Sequence, residues 1–284
     1  MKDGISAVVA TLNRKTELKR LFESFRSSAF ADLEVIVVDQ NTTPLLDDLI
    51  EEYKIHFTII HVKMKDANQS KARNQGASLA TNGILCFPDD DCWFEGSSLK
   101  DVQAAFSYKS HTDLLIIHWN QNPVQNVKSG ILSKNIIYSF KAVGYATYVL
   151  FFRKEVFIKL GGFIETIGIG KYIGGGEDSE ITFRVAKENY NIYYDSGIHV
   201  NHNYISIYTR EISVIRSRQR AMGLLYSLYP VGTGVILRGL ISPLVKMVTC
   251  GRWNEIKKHR NVFIGRMEGL FYGYKNKEEI LRSK

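Results

Sequence analysis

The feature that most constrains this chain is the alternation over its first hundred residues of short apolar runs with amphipathic stretches, joined by only a few residues. Residues 5–10 read as a strand buried on both faces, and residues 15–27 carry Leu18, Leu21, Phe22 and Phe25 at helical spacing. Residues 34–39 form a second strand ending in Asp39. A helix is expected from Pro44 to Tyr53, a third strand at 57–62, and a small-residue helix at 70–80 closing at Asn82-Gly83. Strands that alternate with helices on short connections imply a mainly parallel sheet with right-handed crossovers and helices on both faces. The expected fold is therefore α/β, with a Rossmann-like nucleotide-binding half. No Gly-x-Gly-x-x-Gly follows the first strand and no phosphate-loop lysine motif occurs, which removes the main support for dinucleotide oxidoreductases and phosphate-loop NTPases.

The fourth apolar run ends in three carboxylates, Gly83-Ile-Leu-Cys-Phe-Pro-Asp89-Asp90-Asp91-Cys-Trp93. Pro88 has no N–H to give a ladder, so the acids fall at the carboxyl end of a strand, where open α/β sheets bind ligands. Adjacent carboxylates about 4 Å apart repel by roughly 1–4 kcal/mol, and a divalent cation is the simplest remedy. Asp-x-Asp offers the hard oxygens that Mg²⁺ and Mn²⁺ prefer. The competing reading is a solvated acidic turn capping a helix near Ser97.

Further along, a helix at 97–108, a strand at 113–119, a polar stretch at 120–134 suited to an acceptor-side loop, and a strand at 147–152 are expected. A helical turn at 154–160 ends in Gly161-Gly162-Phe163. A second acidic motif, Gly174-Gly175-Gly176-Glu177-Asp178-Ser179-Glu180, opens a helix running to about Glu188. That position favours ionised acids, whether they are capping groups or working ones. Short strands at 192–194 and 198–200 bring His199 and His202 close together.

Of the formal charge of +8, residues 210–284 hold 15 Lys and Arg against 5 Asp and Glu, so the basic excess lies wholly in the C-terminal quarter. Residues 221–237 are uncharged but too short to span a bilayer, and Arg238 and Lys246 interrupt the next apolar run. Leu240, Ile241, Leu244, Val245 and Val248 form an apolar stripe. Residues 238–266 therefore suit either an anionic membrane surface or ordinary packing and homodimer contact. No recognition helix or zinc pattern supports nucleic-acid binding. Three cysteines without a paired spacing fit a reducing compartment, and the start of the chain lacks signal-peptide anatomy. The expected location is cytoplasmic, with peripheral contact on the inner face of the membrane.

Taken in order, these motifs resemble family 2 glycosyltransferases of the GT-A fold. The resembling residues are Ala7–Arg14, Val37–Asn41, Ser70–Gly76, Phe87–Asp91, Gly161–Phe163, Gly176–Asp178 and the histidine pair, within about residues 4–210. The resemblance implies a GT-A domain over 1–210 (nucleotide-sugar half 1–95, acceptor half 96–210) and a basic helical region over 211–284. It implies an inverting, Mn²⁺- or Mg²⁺-dependent transfer of one sugar from a nucleotide-sugar, expected to be a UDP-sugar. The acceptor would be a glycan or a polyprenyl-diphosphate-linked sugar in bacterial surface polysaccharide assembly, such as capsule or O-antigen. Thr11, Asn13, Arg14, Asp39, Arg73, Asp89 and Asp90 are implied at the nucleotide, with Asp90 the variable middle residue. Asp89, Asp91 and His202 are implied at the metal, with His199 the alternate, Asp178 as the general base and Glu177 on the acceptor side. The segment Arg216-Ser-Arg-Gln219-Arg220 loosely matches a nucleotide-facing basic segment. No Gln-x-x-Arg-Trp motif follows the base, which disfavours a processive synthase. The alternatives are a non-catalytic partner subunit that binds sugar nucleotides, and a nucleotidylyltransferase, although Thr11–Lys15 lacks the glycines that the latter needs.

Overall fold

The computed structural model describes residues 4–109, 111–121, 127–140, 145–203 and 205–282. The expected acceptor-side loop at 120–134 lies partly outside these residues. The elements are β1 (Ile5–Thr11), α1 (Lys15–Ser28), β2 (Leu33–Asp39), α2 (Asp47–Tyr53), β3 (Thr58–Lys63), α3 (Gln69–Leu79) and β4 (Ile84–Cys86). Then come β5 (Trp93–Phe94), α4 (Ser98–Tyr108), β6 (Leu114–Trp119), β7 (Gly130–Ile131), α5 (Lys134–Tyr138), β8 (Leu150–Arg153) and α6 (Lys154–Lys159). The chain finishes with α7 (Glu177–Lys187), β9 (Ile192–Asn201), α8 (Ile212–Leu228), α9 (Thr233–Thr249) and α10 (Trp253–Arg282).

One sheet runs in the order β3-β2-β1-β4-β8-β6-β9-β5, with β7 added on β9. Strands β3, β2, β1 and β4 are parallel, β8 runs against β4 and β6, and β6 is parallel to β9. Every residue of β2 is buried, whereas the edge strand β3 is half-exposed. The chain leaves β1 for β2 on one side and returns through α3 to β4 on the other. The carboxyl ends of β1 and β4 therefore flank a topological switch point, the usual crevice for a ligand. In-register pairing sets Thr11 beside Asp39 and Asp39 beside Lys63 along that edge.

Several local expectations shift for identifiable reasons. Pro44 opens a turn whose carbonyl accepts from the Asp47 amide, and the helix begins only at Asp47. The third helix starts at Gln69 because the Asn68 side chain caps the Lys71 amide. Asn82 does not cap that helix, since its side-chain amide donates to the Ile5 carbonyl and so fastens β1. The two short strands expected near the histidines are one strand, β9, with a bulge where the register jumps from Ile117–Asp195 to His118–His199. The start of the strand expected at 147–152 is a 3₁₀ turn, Thr147–Val149.

Helix α8 joins the core of the sheet through Ala221, Leu224, Leu225, Tyr226, Leu228 and Tyr229. It lies against α10 along a seam of small residues one turn apart, Gly265, Gly269 and Gly273. A β-carbon on Gly269 would strike the backbone of Arg220, and one on Gly223 the backbone of Arg266. The two helices therefore approach backbone to backbone. Arg216 and Arg220 of α8 close the seam by donating to Glu268. Because overpacking of a tight contact typically costs about 1–3 kcal/mol, Gly269→Ala is expected to lower stability in urea unfolding by that amount. Gly234→Ala, at a helical site with open space around it, serves as the comparison for an added methyl alone.

Candidate active site

At the switch point the β4 acids meet a ring of cations. Asp90 is the most buried of the three, accepting from the Thr11 hydroxyl at 2.8 Å and from Arg14 at 3.1 Å. Asp91 accepts from Arg14 at 2.7 Å and lies 3.0 Å from Nε2 of His202. Asp89 takes the Arg73 guanidinium at 2.6 Å. Arg73 is 2% exposed, and its guanidinium also donates to Glu177 at 3.2 Å and to the Thr147 hydroxyl at 2.8 Å. A single buried cation thus ties the end of β4 to the start of α7, 104 residues from Arg73 in sequence.

The helix α7 begins abruptly because Gly176 takes a left-handed conformation (φ 85°) that a side chain disfavours. A β-carbon there would also meet Ala221 of α8 at 2.6 Å. The turn presents Glu177 inward to Arg73 and leaves Asp178 on the cleft wall, bonded to the amide and hydroxyl of Ser179. Deeper in, Arg184 is fully buried, donating to Glu180 and to the carbonyls of Leu160 and Gly162. Tyr229 donates to the same Glu180 at 2.5 Å. This cluster fixes α7 against both the Gly161-Gly162-Phe163 turn and the end of α8.

Asp89, Asp91, Glu177, Asp178 and His202 line one open cleft of about 750 Å³. The ligand atoms of Asp89, Asp91 and His202 lie within 4.8 Å of one another, so two hard carboxylates and an imidazole converge as a divalent-metal site requires. His202 is held by stacking on Tyr148 (centroids 4.6 Å, 7° between planes) and by Trp119, whose indole donates to the His202 carbonyl at 2.7 Å. His199 instead packs edge-on to His118 between β6 and β9 and is not part of the cleft. Of the two histidines, His202 is the one at the acids.

Burial pushes the Asp178 carboxyl up to about 7, with the Glu177 charge adding to it and the Ser179 bonds opposing. The expectation that a helix N-terminus keeps both acids ionised is thus corrected for Asp178, because desolvation outweighs the dipole there. Burial likewise raises Asp90 to about 6 against the Thr11 bond and the Arg14 charge. Asp91 moves the other way, well below the usual carboxylate range. Burial opposes that shift, but the His202 and Arg14 bonds overcome it. The same pairing raises His202 in spite of its burial.

The remaining sequence-predicted residues hold one another at the same end of the sheet. Asp90 lines the cleft with its oxygens on the Thr11 hydroxyl and Arg14, and Thr11 is itself buried. Arg73 lines the cleft with its donors on Asp89, Glu177 and Thr147. Asp39 is fully buried, with one oxygen on Asn41 and the other on His61 and Lys63. Asn13 binds Asn41 through its backbone amide. As the chain stands, Thr11, Asn13 and Asp39 order this end of the cleft, and Ala10, Leu12, Arg14, Gln40 and Ala67 line it. In the basic segment, Arg216 and Arg220 turn away to Glu268, and only Arg218 reaches the cleft among the three arginines. Trp119, Tyr148, Arg210 and the inward turn of Arg218 were not foreseen. The available signals were aromatic residues at strand ends and the two-residue spacing of the arginines.

A Rossmann-like half continued by β6–β9 and α7, with acids from both parts converging on one cleft, is the arrangement of GT-A sugar-transfer enzymes. The model of the family described as glycosyl transferase family 2 matches residues 6–161, more than half of the chain, and the chain belongs to that family. Poly(ribitol-phosphate) β-N-acetylglucosaminyltransferase TarS of Staphylococcus aureus is 28% identical over 116 residues, 39% of this chain and 20% of TarS. Validoxylamine A glucosyltransferase of Streptomyces hygroscopicus is 33% identical over 89 residues, 30% of this chain and 21% of that one. The chain spans a third or less of the length of the curated relatives TarS and EpsH of Bacillus subtilis (20% and 33%). Among solved structures, TarS residues 1–349 superpose with a TM-score of 0.64 at 15% identity, covering 98% of this chain and 92% of that one. A mannosyltransferase of Pyrobaculum calidifontis, in complex with GDP-Man and Mn²⁺, gives 0.64 at 12% identity over 94% and 87%. At such identities these two establish the fold, which is GT-A.

Carbon-13 titration of the aspartate carboxyls is expected to show two groups titrating unusually high, near 6 and near 7. The higher should vanish in Asp178→Asn. If every carboxyl titrates below about 5, the desolvated setting described for Asp178 is wrong.

Proposed function

We propose that this protein transfers one sugar, with inversion, from a nucleotide-sugar to a hydroxyl of a glycan or lipid-linked acceptor in bacterial surface polysaccharide synthesis. The observation that carries this reading is the Arg73 bridge, which sets a candidate metal group and a high-pKa carboxylate on the walls of one cleft. TarS has been solved with UDP-GlcNAc, which supports a UDP-sugar as the donor here.

In this reading Asp89, Asp91 and His202 hold Mn²⁺ or Mg²⁺. When bound, such an ion offsets the negative charge that grows on a departing nucleoside diphosphate. His202 must be neutral to ligate, and Asp91 raises its pKa, so metal affinity should increase as pH rises through its titration. The nucleotide would lie along Ala10, Leu12 and Gln40, over the ends of β1 and β2. Arg14 is half-exposed, and could exchange Asp91 for the nucleotide. Asp178 takes the proton of the acceptor hydroxyl as its oxygen bonds to the anomeric carbon and the bond to the diphosphate oxygen breaks. A carboxylate raised toward 7 is better matched to that transfer than an ordinary one. Glu177, held by Arg73, keeps the α7 turn in place and orients the acceptor.

Thermal unfolding with UDP and GDP, with and without Mn²⁺, tests the donor site. A nucleotide at about 100 times its Kd should stabilise by roughly 2.7 kcal/mol. The Mn²⁺-dependent shift should disappear in Asp91→Ala and persist in Asp178→Asn, which should lose about 10²- to 10⁴-fold in transfer rate. Full activity in Asp178→Asn removes the base assignment.

Membrane contact belongs to the same reading. No helix among the described residues is long and apolar enough to cross a membrane. Yet α9 exposes an apolar stripe, with Leu237, Ile241 and Val245 about half-exposed and Val248 86% exposed, and only Pro243 of that helix is buried. Basic residues flank it, and a bilayer with anionic lipid would cover both features. Sedimentation with phosphatidylglycerol vesicles, but not with phosphatidylcholine alone, is the expected result, and Ile241→Asp/Val248→Asp should abolish it. A dimer in solution broken by the same variant would instead assign the stripe to a second copy.

A further inference from the structure

The three arginines of α8 separate by helical period. Arg216 and Arg220, one turn apart, share Glu268 on α10, and between them Gln219 accepts from Arg266. Arg218 faces the other way, into the cleft, beside the Gly174-Gly175-Gly176 turn that leads to Asp178. Arg210, on the segment entering α8, lines the same cleft, and its Nε is shut off from solvent without a hydrogen-bond partner. Among the described residues neither guanidinium has an ion pair. The two repel each other: burial and then the Arg210 charge lower the Arg218 pKa. Like charges that are half-buried and unpaired are costly unless an anion joins them.

Position in the cleft decides which anion. Arg14 serves Asp90 and Asp91, and Arg73 serves Asp89 and Glu177. On the reading above, a divalent cation and the donor diphosphate offset each other at Asp89, Asp91 and His202. The donor diphosphate would then lie at that group, on the β4 side of the cleft. Arg218 lies against the turn before α7, where a β-carbon on Gly175 would meet its Cγ at 3.8 Å, and so stands on the side of the proposed base. That is the side from which an acceptor hydroxyl must approach.

We propose that Arg210 and Arg218 form an acceptor-side phosphate subsite, so that the sugar is transferred to a hydroxyl lying close to a phosphate group of the acceptor. This rests on the transferase reading and adds the acceptor's chemical class. Paired guanidinium forks match the several oxygens of a phosphate, which they bind with short charge-assisted hydrogen bonds. The phosphate could come from a phosphodiester-linked polymer or from a lipid-linked diphosphate, because both present the same oxygens.

The test uses the full chain saturated with Mn²⁺ and UDP, titrated calorimetrically with glycerol 3-phosphate, with farnesyl diphosphate, and with glucuronate as a carboxylate control. At least one phosphate probe should bind the UDP-loaded protein. Arg218→Gln and Arg210→Gln should each weaken it roughly ten- to a hundred-fold, the loss of one charged hydrogen bond, while UDP affinity stays unchanged. Arg218→Lys, which keeps the charge without the fork, should fall between wild type and Arg218→Gln. Preference for farnesyl diphosphate would point to the lipid-linked source, and equal binding of glycerol 3-phosphate to the polymer. Weakened UDP binding in Arg218→Gln would assign the arginine to the donor and overturn the proposal, as would binding of glucuronate alone or of no probe. Failure of the wild-type chain to bind UDP with Mn²⁺ is a separate result, and it counts against the transferase reading itself.

Discussion

The guanidinium of Arg73 is buried among two carboxylates and a hydroxyl that arrive from distant parts of the chain, and the rest of the cleft is built around it. Removing a cation from such a setting leaves buried carboxylates uncompensated, which is far costlier than the net worth of the pairs themselves. The end of β4, the 3₁₀ turn before β8 and the first turn of α7 are therefore held to one geometry. Arg73 can do this because α3 lies against β1 and β2, next to the switch point, so its side chain reaches past the end of β4.

The C-terminal helices support the same place from behind. Glu180 and Arg184 anchor α7 to the Gly161-Gly162-Phe163 turn, and Tyr229 closes that cluster from the end of α8. The glycine seam and Glu268 then clamp α8 to α10. Because Arg218 projects from the clamped helix, the seam sets where a cation stands in the cleft, although no seam glycine lines it. The basic tail is consequently part of the cleft architecture as well as a surface.

Much of this was legible in the sequence because it depends on local pattern. Apolar runs ended by Asp39 and by Asp89-Asp90-Asp91 placed acids at strand ends, and the glycines before Glu177 announced a sharp helix start. What the pattern does not reveal involves partners remote in sequence. Nothing near Arg73 in the chain reveals Asp89 and Glu177 as its partners. Asp178 read as an ionised helix-terminal acid because its burial is created by other elements. His199 and His202 could not be separated, since the bulge in β9 and the stacking of Tyr148 decide which ring meets Asp91.

The sequence by itself determined the alternating α/β architecture and the positions of both acidic motifs, because strand, helix and turn preferences act over a few residues. It also fixed the basic excess of the last quarter, which is a matter of composition. Only the tertiary structure decided which charges neutralise one another, which arginine of the basic segment enters the cleft, and how far each carboxyl is shifted. Those outcomes depend on distance and desolvation between groups as far apart as Arg73 and Glu177, 104 residues in sequence, and both exist only once the sheet and helices have packed.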